Sequence, residues 1–131
     1  MTAVMITGSR DWTDDVVIFN ALSPYGDGDV IILGDARGAD AIARGVCAER
    51  GLQFTVFEAR WVEYGWRAGH ERNSRMASAL SRQWLRGHKM LCLGFPLEKS
   101  RGTWDALRQA RSARAECRYY DVKSGTWKEF R

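Results

Sequence analysis

Metal-ligating and cross-linking residues are scarce in this chain of 131 residues, which holds two histidines, His70 and His88, and three cysteines, Cys47, Cys92 and Cys117. The cysteines are odd in number, far apart and embedded in apolar helix or strand patterns. They read as reduced core residues, and the set lacks the spacing of a zinc site. Neither a metal nor a cofactor is expected. No stretch approaches the ~20 uninterrupted apolar residues that span a bilayer. The first residues lack the charged-then-apolar pattern of a secretory signal, so a soluble, cytoplasmic protein with no membrane partner is expected. Internal repeats and low-complexity linkers are missing too. With 45% hydrophobic residues and six tryptophans, residues 1–131 suit one domain with a core of its own.

Lysine is the next scarcity: four stand beside sixteen arginines, and together they leave a formal net charge of +4 and a pI near 9.2. The planar guanidinium fork matches phosphate and carboxylate, so an anionic partner is favoured over a generally basic surface. Arg44, Arg50, Arg82, Arg86, Arg108, Arg111 and Arg114 fall on the outer sides of predicted helices and read as solvated.

What is abundant is one repeated pattern: an apolar run, a loop carrying glycine and arginine, then helical periodicity. Residues 3–7 form a β-branched run punctuated by Gly8-Ser9-Arg10. Thr13 caps a helix through about Leu22, and Ser23 to Asp29 is a turn. Residues 30–33 are the second strand, and Gly34-Asp35-Ala36-Arg37-Gly38 leads into a helix from Ala39 to about Arg50, stopped by Gly51. Strand three is 53–57, followed by an aromatic loop through Arg60, Trp61 and Tyr64. A helix from about Ala68 to Gln83 carries Met76, Leu80 and Trp84 on its packed stripe and leaves Arg75 more exposed. Strand four is 89–93, and after a polar loop Thr103 caps a helix to about Ala113. Residues 117–122 are a fifth strand, and Gly125 to Arg131 offers a small edge strand.

Strands alternating with helices imply crossover connections and an α/β domain of three layers, an open parallel sheet of about five strands with helices on both faces. Every strand-to-helix loop of such a sheet emerges on one edge, where ligands bind. That edge collects Gly8, Ser9 and Arg10; Gly34, Asp35, Ala36, Arg37, Gly38 and Asp40; Arg67, Gly69, Arg72 and Asn73; and Gly94, Arg101, Gly102 and Thr103. Like charges in such number repel unless an anion sits among them, so this set is the candidate binding site for a phosphate-bearing ligand. Gly8, Gly34, Gly38 and Gly102 are the positions for close phosphate approach, although each also suits a tight turn. Thr103 is a helix cap, a phosphate ligand or both. Asp40 either holds a ribose hydroxyl or complements the helix dipole. Trp12 and Trp66 adjoin the edge and are either base-stacking platforms or core.

Ile6-Thr7-Gly8-Ser9-Arg10-Asp11-Trp12, Gly34 to Asp40, Tyr64-Gly65 with Ala68-Gly69, Arg72-Asn73-Ser74-Arg75-Met76 and Arg101-Gly102-Thr103 occur in order from about Val4 to Ala113. Together they resemble the YspA-like branch of the SLOG superfamily, named for the Smf/DprA and Lonely-Guy proteins. The resemblance implies a Rossmann-like fold that binds a nucleotide or nucleotide-derived small molecule, and a homo-oligomer is compatible with it. Lonely-Guy enzymes cleave the glycosidic bond of a nucleoside monophosphate with a Glu-Arg-Lys helix start and a Pro-Gly-Gly-x-Gly-Thr-x-x-Glu loop. Glu71-Arg72-Asn73 resembles the first, and Arg72 matches the functional arginine. In the second only Gly102-Thr103 persists, and the final glutamate is Ala106. Asp105 stands one residue early, turned by ~100° around a helix. Arg72, Glu71 and Asp105 are therefore the catalytic candidates if the chain turns over its ligand. Glu71 either acts as a base or orients Arg72, and the second is preferred because it needs no unusual pKa. Binding, in the sense of sensing, carrying or sequestering, is the first reading; a nucleotide hydrolase of the Lonely-Guy type is the alternative, and nucleic-acid binding as in the Smf/DprA relatives is a third class.

Overall fold

The computed structural model describes residues 1–131 as one sheet between two helical layers. Its strands are β1 (Thr2–Gly8), β2 (Val30–Gly34), β3 (Gln53–Phe57), β4 (Lys89–Phe95), β5 (Glu116–Asp121) and β6 (Thr126–Glu129), in the order β3-β2-β1-β4-β5-β6. Five strands are parallel, and β6 joins β5 antiparallel, so the sheet has one strand beyond the five. That sixth strand is the expected edge segment. It is held by Trp127, whose ring meets those of Phe95 and Tyr120 edge-on at 5.5 Å each.

Alternation along each strand sends one apolar set to each face. Val4, Ile6, Ile31, Leu33, Leu91 and Leu93 pack against α1 (Asp15–Leu22) and α2 (Ala39–Arg50). Ala3, Met5, Ile32 and Cys92 pack against α4 (Ala68–Leu85) and α5 (Arg101–Ser112). The aromatic connection after β3 is a short helix α3 (Trp61–Tyr64) and a 3-10 turn, Gly65–Arg67. All three cysteines are free and buried. No helix is long and apolar enough to cross a membrane.

Three local expectations are corrected. Asp14, not Thr13, caps α1, accepting from the Val17 N–H at 3.3 Å. Ser100, not Thr103, stands at the start of α5; the Thr103 N–H donates to the Ser100 carbonyl at 3.0 Å, which places Thr103 inside the first turn. Trp84 is 61% exposed and off the packed stripe, because each i+4 step overshoots a full turn by about 40° and the third member has rotated away. Arg50 is exposed as expected, yet it is also tied down: it donates to the Leu22 carbonyl at 2.7 Å and that of Tyr25 at 2.9 Å, clamping the turn before β2.

Candidate functional site

β1 continues toward β2 while its neighbour β4 continues toward β5, so their connections leave in opposite directions and open a crevice over the strand ends. A cavity of about 810 Å³ occupies that crevice, within the range of small-ligand sites. Its walls are the loops after β1, β2 and β4 and the first turns of α4 and α5.

The loop after β1 is built for close packing. A Cβ on Gly8 would overlap that of Ala39 and come within 2.9 Å of Phe95 Cβ, so glycine lets α2 descend onto the sheet. The Ser9 N–H donates to the Phe95 carbonyl at 2.9 Å, and the Ser9 carbonyl accepts from Ala39 at 3.1 Å, tying three segments together. Gly38 sits at φ +76°, and a side chain there would strike the Ser9 and Arg10 backbone, so the position takes glycine. Arg10 is exposed and lies over the Trp61 ring, 5.4 Å from its centroid. Arg37 is exposed and faces Asp11 at 3.5 Å.

Beneath these loops lies a charge cluster that runs from the surface at Asp35 to the buried Asp40. Arg72 donates from Nη1 to Asp35 Oδ1 at 2.8 Å, and Asp35 also accepts from the Ala59 N–H. Asp40 is 4% exposed; its Oδ2 accepts from the Ala36 N–H at 3.2 Å, while its Oδ1 and Arg72 Nε have no partner. Burial pushes the Asp40 carboxyl up to about 6, against the opposing pull of Arg72. Gly34 serves this cluster: a Cβ there would sit 2.6 Å from Asp40 Oδ2 and 3.1 Å from Arg72 Cζ.

The far wall joins α4 to α5. His70 Nδ1 lies 2.9 Å from Asp105 Oδ1, and Asp105 Oδ2 accepts from Asn73 Nδ2 and Gln109 Nε2 at 3.0 Å each. Asn73 also donates to the Gly102 carbonyl at 3.2 Å. A Cβ on Gly69 or Gly102 would meet nothing within 4 Å. The N–H groups of Arg101 and Gly102 make no bond within the protein.

The cavity lining thus includes Gly8, Ser9, Arg10, Ala36, Arg37, Asp40, Arg67, Gly69, Arg72, Asn73, Arg101, Gly102, Thr103 and Asp105 from the expected set. Gly34, Asp35, Gly38 and Gly94 lie outside it. The first three support the loops, and Gly94 makes room for Leu107, whose Cδ1 would be 2.9 Å from a Cβ there. Glu71 is also outside, and it does not orient Arg72. It accepts from Arg75 Nε at 2.8 and 2.9 Å, the i+4 partner on its own helix face, and Asp35 holds Arg72 instead. Arg75 is accordingly half-buried, not a solvated residue. Ala106 is fully buried under the sheet, so Asp105 and not position 106 faces the cavity. Trp12 is core, edge-on to Phe95 at 5.4 Å, whereas Trp66 lines the cavity and is 88% exposed.

Sequence reasoning missed His70, Trp61, Lys99 and Arg108, all of which line the cavity. The signal for Arg108 was present: positions 101, 105 and 108 form one stripe of a helix. His70 stands likewise three residues from both Arg67 and Asn73.

An open, doubly wound sheet with a ligand-sized crevice at its switch point defines a Rossmann-like α/β protein. The fold is similar to that of DNA processing protein A (DprA) from Streptococcus pneumoniae, with a TM-score of 0.55 at 14% identity; the match covers 89% of this chain but 58% of that one, so this chain spans little more than half its length. In sequence it is 39% identical to the Gene 61 protein of Mycobacterium phage D29, over 86% of this chain and 91% of that protein. Residues 2–64 match YAcAr, the YspA, cpYpsA-related SLOG family. The chain belongs to this SLOG family, and its membership and fold go with a nucleotide-related function.

Proposed function

We propose that this protein binds a nucleotide or nucleotide-derived phosphate ligand in the crevice above β1 and β4. The observation that carries the reading is the imbalance of charge in one cavity: Arg10, Arg37, Arg67, Arg72, Lys99, Arg101 and Arg108 against Asp11, Asp40 and Asp105. Phosphate groups meet the guanidinium forks and the free N–H groups of Arg101 and Gly102 at the start of α5. The exposed ring of Trp66 offers a face to the base, while Asp40 is sealed beneath the loops and supports the site from below.

Glycosidic cleavage of the Lonely-Guy kind is not favoured. Its cation-like transition state needs a free carboxylate, but Asp40 is buried, Asp105 is held by three side chains and Asp11 faces Arg37.

Calorimetric titration with nucleoside mono- and diphosphates and with base-free pyrophosphate tests the reading. Saturable binding is expected, stronger for the nucleotides than for pyrophosphate, and lost in Arg37→Ala/Arg101→Ala, whose exposed side chains leave the free protein's melting temperature unchanged. Absence of binding to every nucleotide sinks the proposal.

A further inference from the structure

We propose that the cavity hydrolyses a phosphoanhydride bond of its nucleotide, with His70 as general base and Asp105 as the residue that positions it. The inference rests on the nucleotide-binding reading and adds an activity to it. His70 sits in the first turn of α4 with its side chain 65% exposed, on the cavity wall. Its Nδ1 is 2.9 Å from Asp105 Oδ1. Donation from Nδ1 to the Asp105 carboxylate is the arrangement that leaves the Nε2 lone pair free to take a proton.

Asp105 cannot turn away, because Asn73 and Gln109 both donate to its other oxygen. The junction of α4 and α5 does not require the histidine: Asn73 to Gly102, Asn73 to Asp105 and Ser74 to Gln109 already join the helices. An exposed imidazole oriented by a fixed carboxylate, in a cavity lined by guanidinium groups, is the arrangement of a general base beside an anionic reaction centre.

The charge of the cavity selects the bond. Breaking a phosphoanhydride places new negative charge on the departing phosphate, which arginines stabilise, whereas the same arginines oppose the positive charge of glycosidic cleavage. A water held by Nε2 gives up one proton to it as the water oxygen bonds to phosphorus. The bond from that phosphorus to the bridging oxygen breaks, and the second phosphate leaves with the electron pair. His70 then returns its proton to the departing phosphate or to solvent; two phosphate monoesters result, or one and inorganic phosphate, and nothing is oxidised.

The test incubates the full chain with ADP and with two adenosines joined through a pyrophosphate, in magnesium-containing buffer, following AMP by chromatography and binding by calorimetry. The wild type is expected to release AMP. His70→Ala should lower kcat by roughly 10²–10⁴-fold with KM within about twofold, and added imidazole should restore part of the rate. Asp105→Asn should lower kcat in the same sense, and His70→Asn gives a second variant should the alanine protein fold poorly. Binding with both compounds recovered intact overturns the hydrolysis and leaves the binding reading standing, whereas failure to bind overturns both. Release of free adenine in place of AMP overturns the choice of bond, and undiminished turnover in both His70 variants overturns the assignment of the base.

Discussion

Asp40 and Arg72 show how a residue can be placed at a thermodynamic cost. The Asp40 carboxyl titrates near 6 in the folded chain and near 3.8 when unfolded. Between those values the native state binds the extra proton, so Asp40's contribution is fully present below about 3.8 and is lost as pH rises through about 6. A shift of this size corresponds to something on the order of 3 kcal/mol. Asp40→Asn should flatten the pH dependence of urea unfolding between pH 4 and 6, and an unchanged slope would mean that another group carries it. Arg72→Ala strips Asp35 of its charged partner and Asp40 of the cation that most opposes its burial. It should cost about 3 kcal/mol in the same assay, besides abolishing ligand-induced thermal stabilisation. Arg72→Lys should recover little, since the fork has to reach Asp35 from a nearly buried side chain.

At the scale of elements, two glycines that look alike in sequence have opposite roles. Gly8→Ala drives a methyl group into Ala39 and Phe95, lifts α2 off β1 and should destabilise the fold by about 1–3 kcal/mol. Gly102→Ala enters open space within a helix and should leave stability equal or up to ~1 kcal/mol higher. If phosphate approaches Gly102 as proposed, that same variant binds nucleotide more weakly while melting no lower, and calorimetry beside thermal unfolding separates the two effects. Periodicity made the elements legible: the bounds of α2 and β3 agree with the reading residue for residue, because apolar spacing changes abruptly at Gly38, Gly51 and Gln53. It placed the start of α5 at Thr103 and passed over Ser100, a capping type less than one turn earlier. Nor could it see that Gly34 makes room for side chains rather than for a ligand. That depends on Asp40 and Arg72, thirty-two positions apart in the chain, meeting over it.

At the scale of the whole molecule, the net charge is matched by one site. The surplus of basic over acidic side chains lining the cavity equals the formal net charge of the chain, +4, so basic and acidic residues outside it balance. A basic cluster at one edge of the sheet steers small anions toward it. Nucleotide affinity should therefore fall steadily between about 50 and 300 mM salt, and a thirty-base-pair DNA should not compete with nucleotide for the site; effective competition would favour a nucleic-acid partner. The sheet order has a different consequence, for synthesis. β1 lies at the centre of the sheet, yet one of its edges is covered by β2 as soon as Gly34 has emerged and the other only by β4, beginning at Lys89. At about 5–20 residues per second the ribosome takes several seconds to supply that second partner. Through that interval the nascent chain carries an apolar strand with one open edge, the kind of template on which unfinished copies pair with each other before the domain is made.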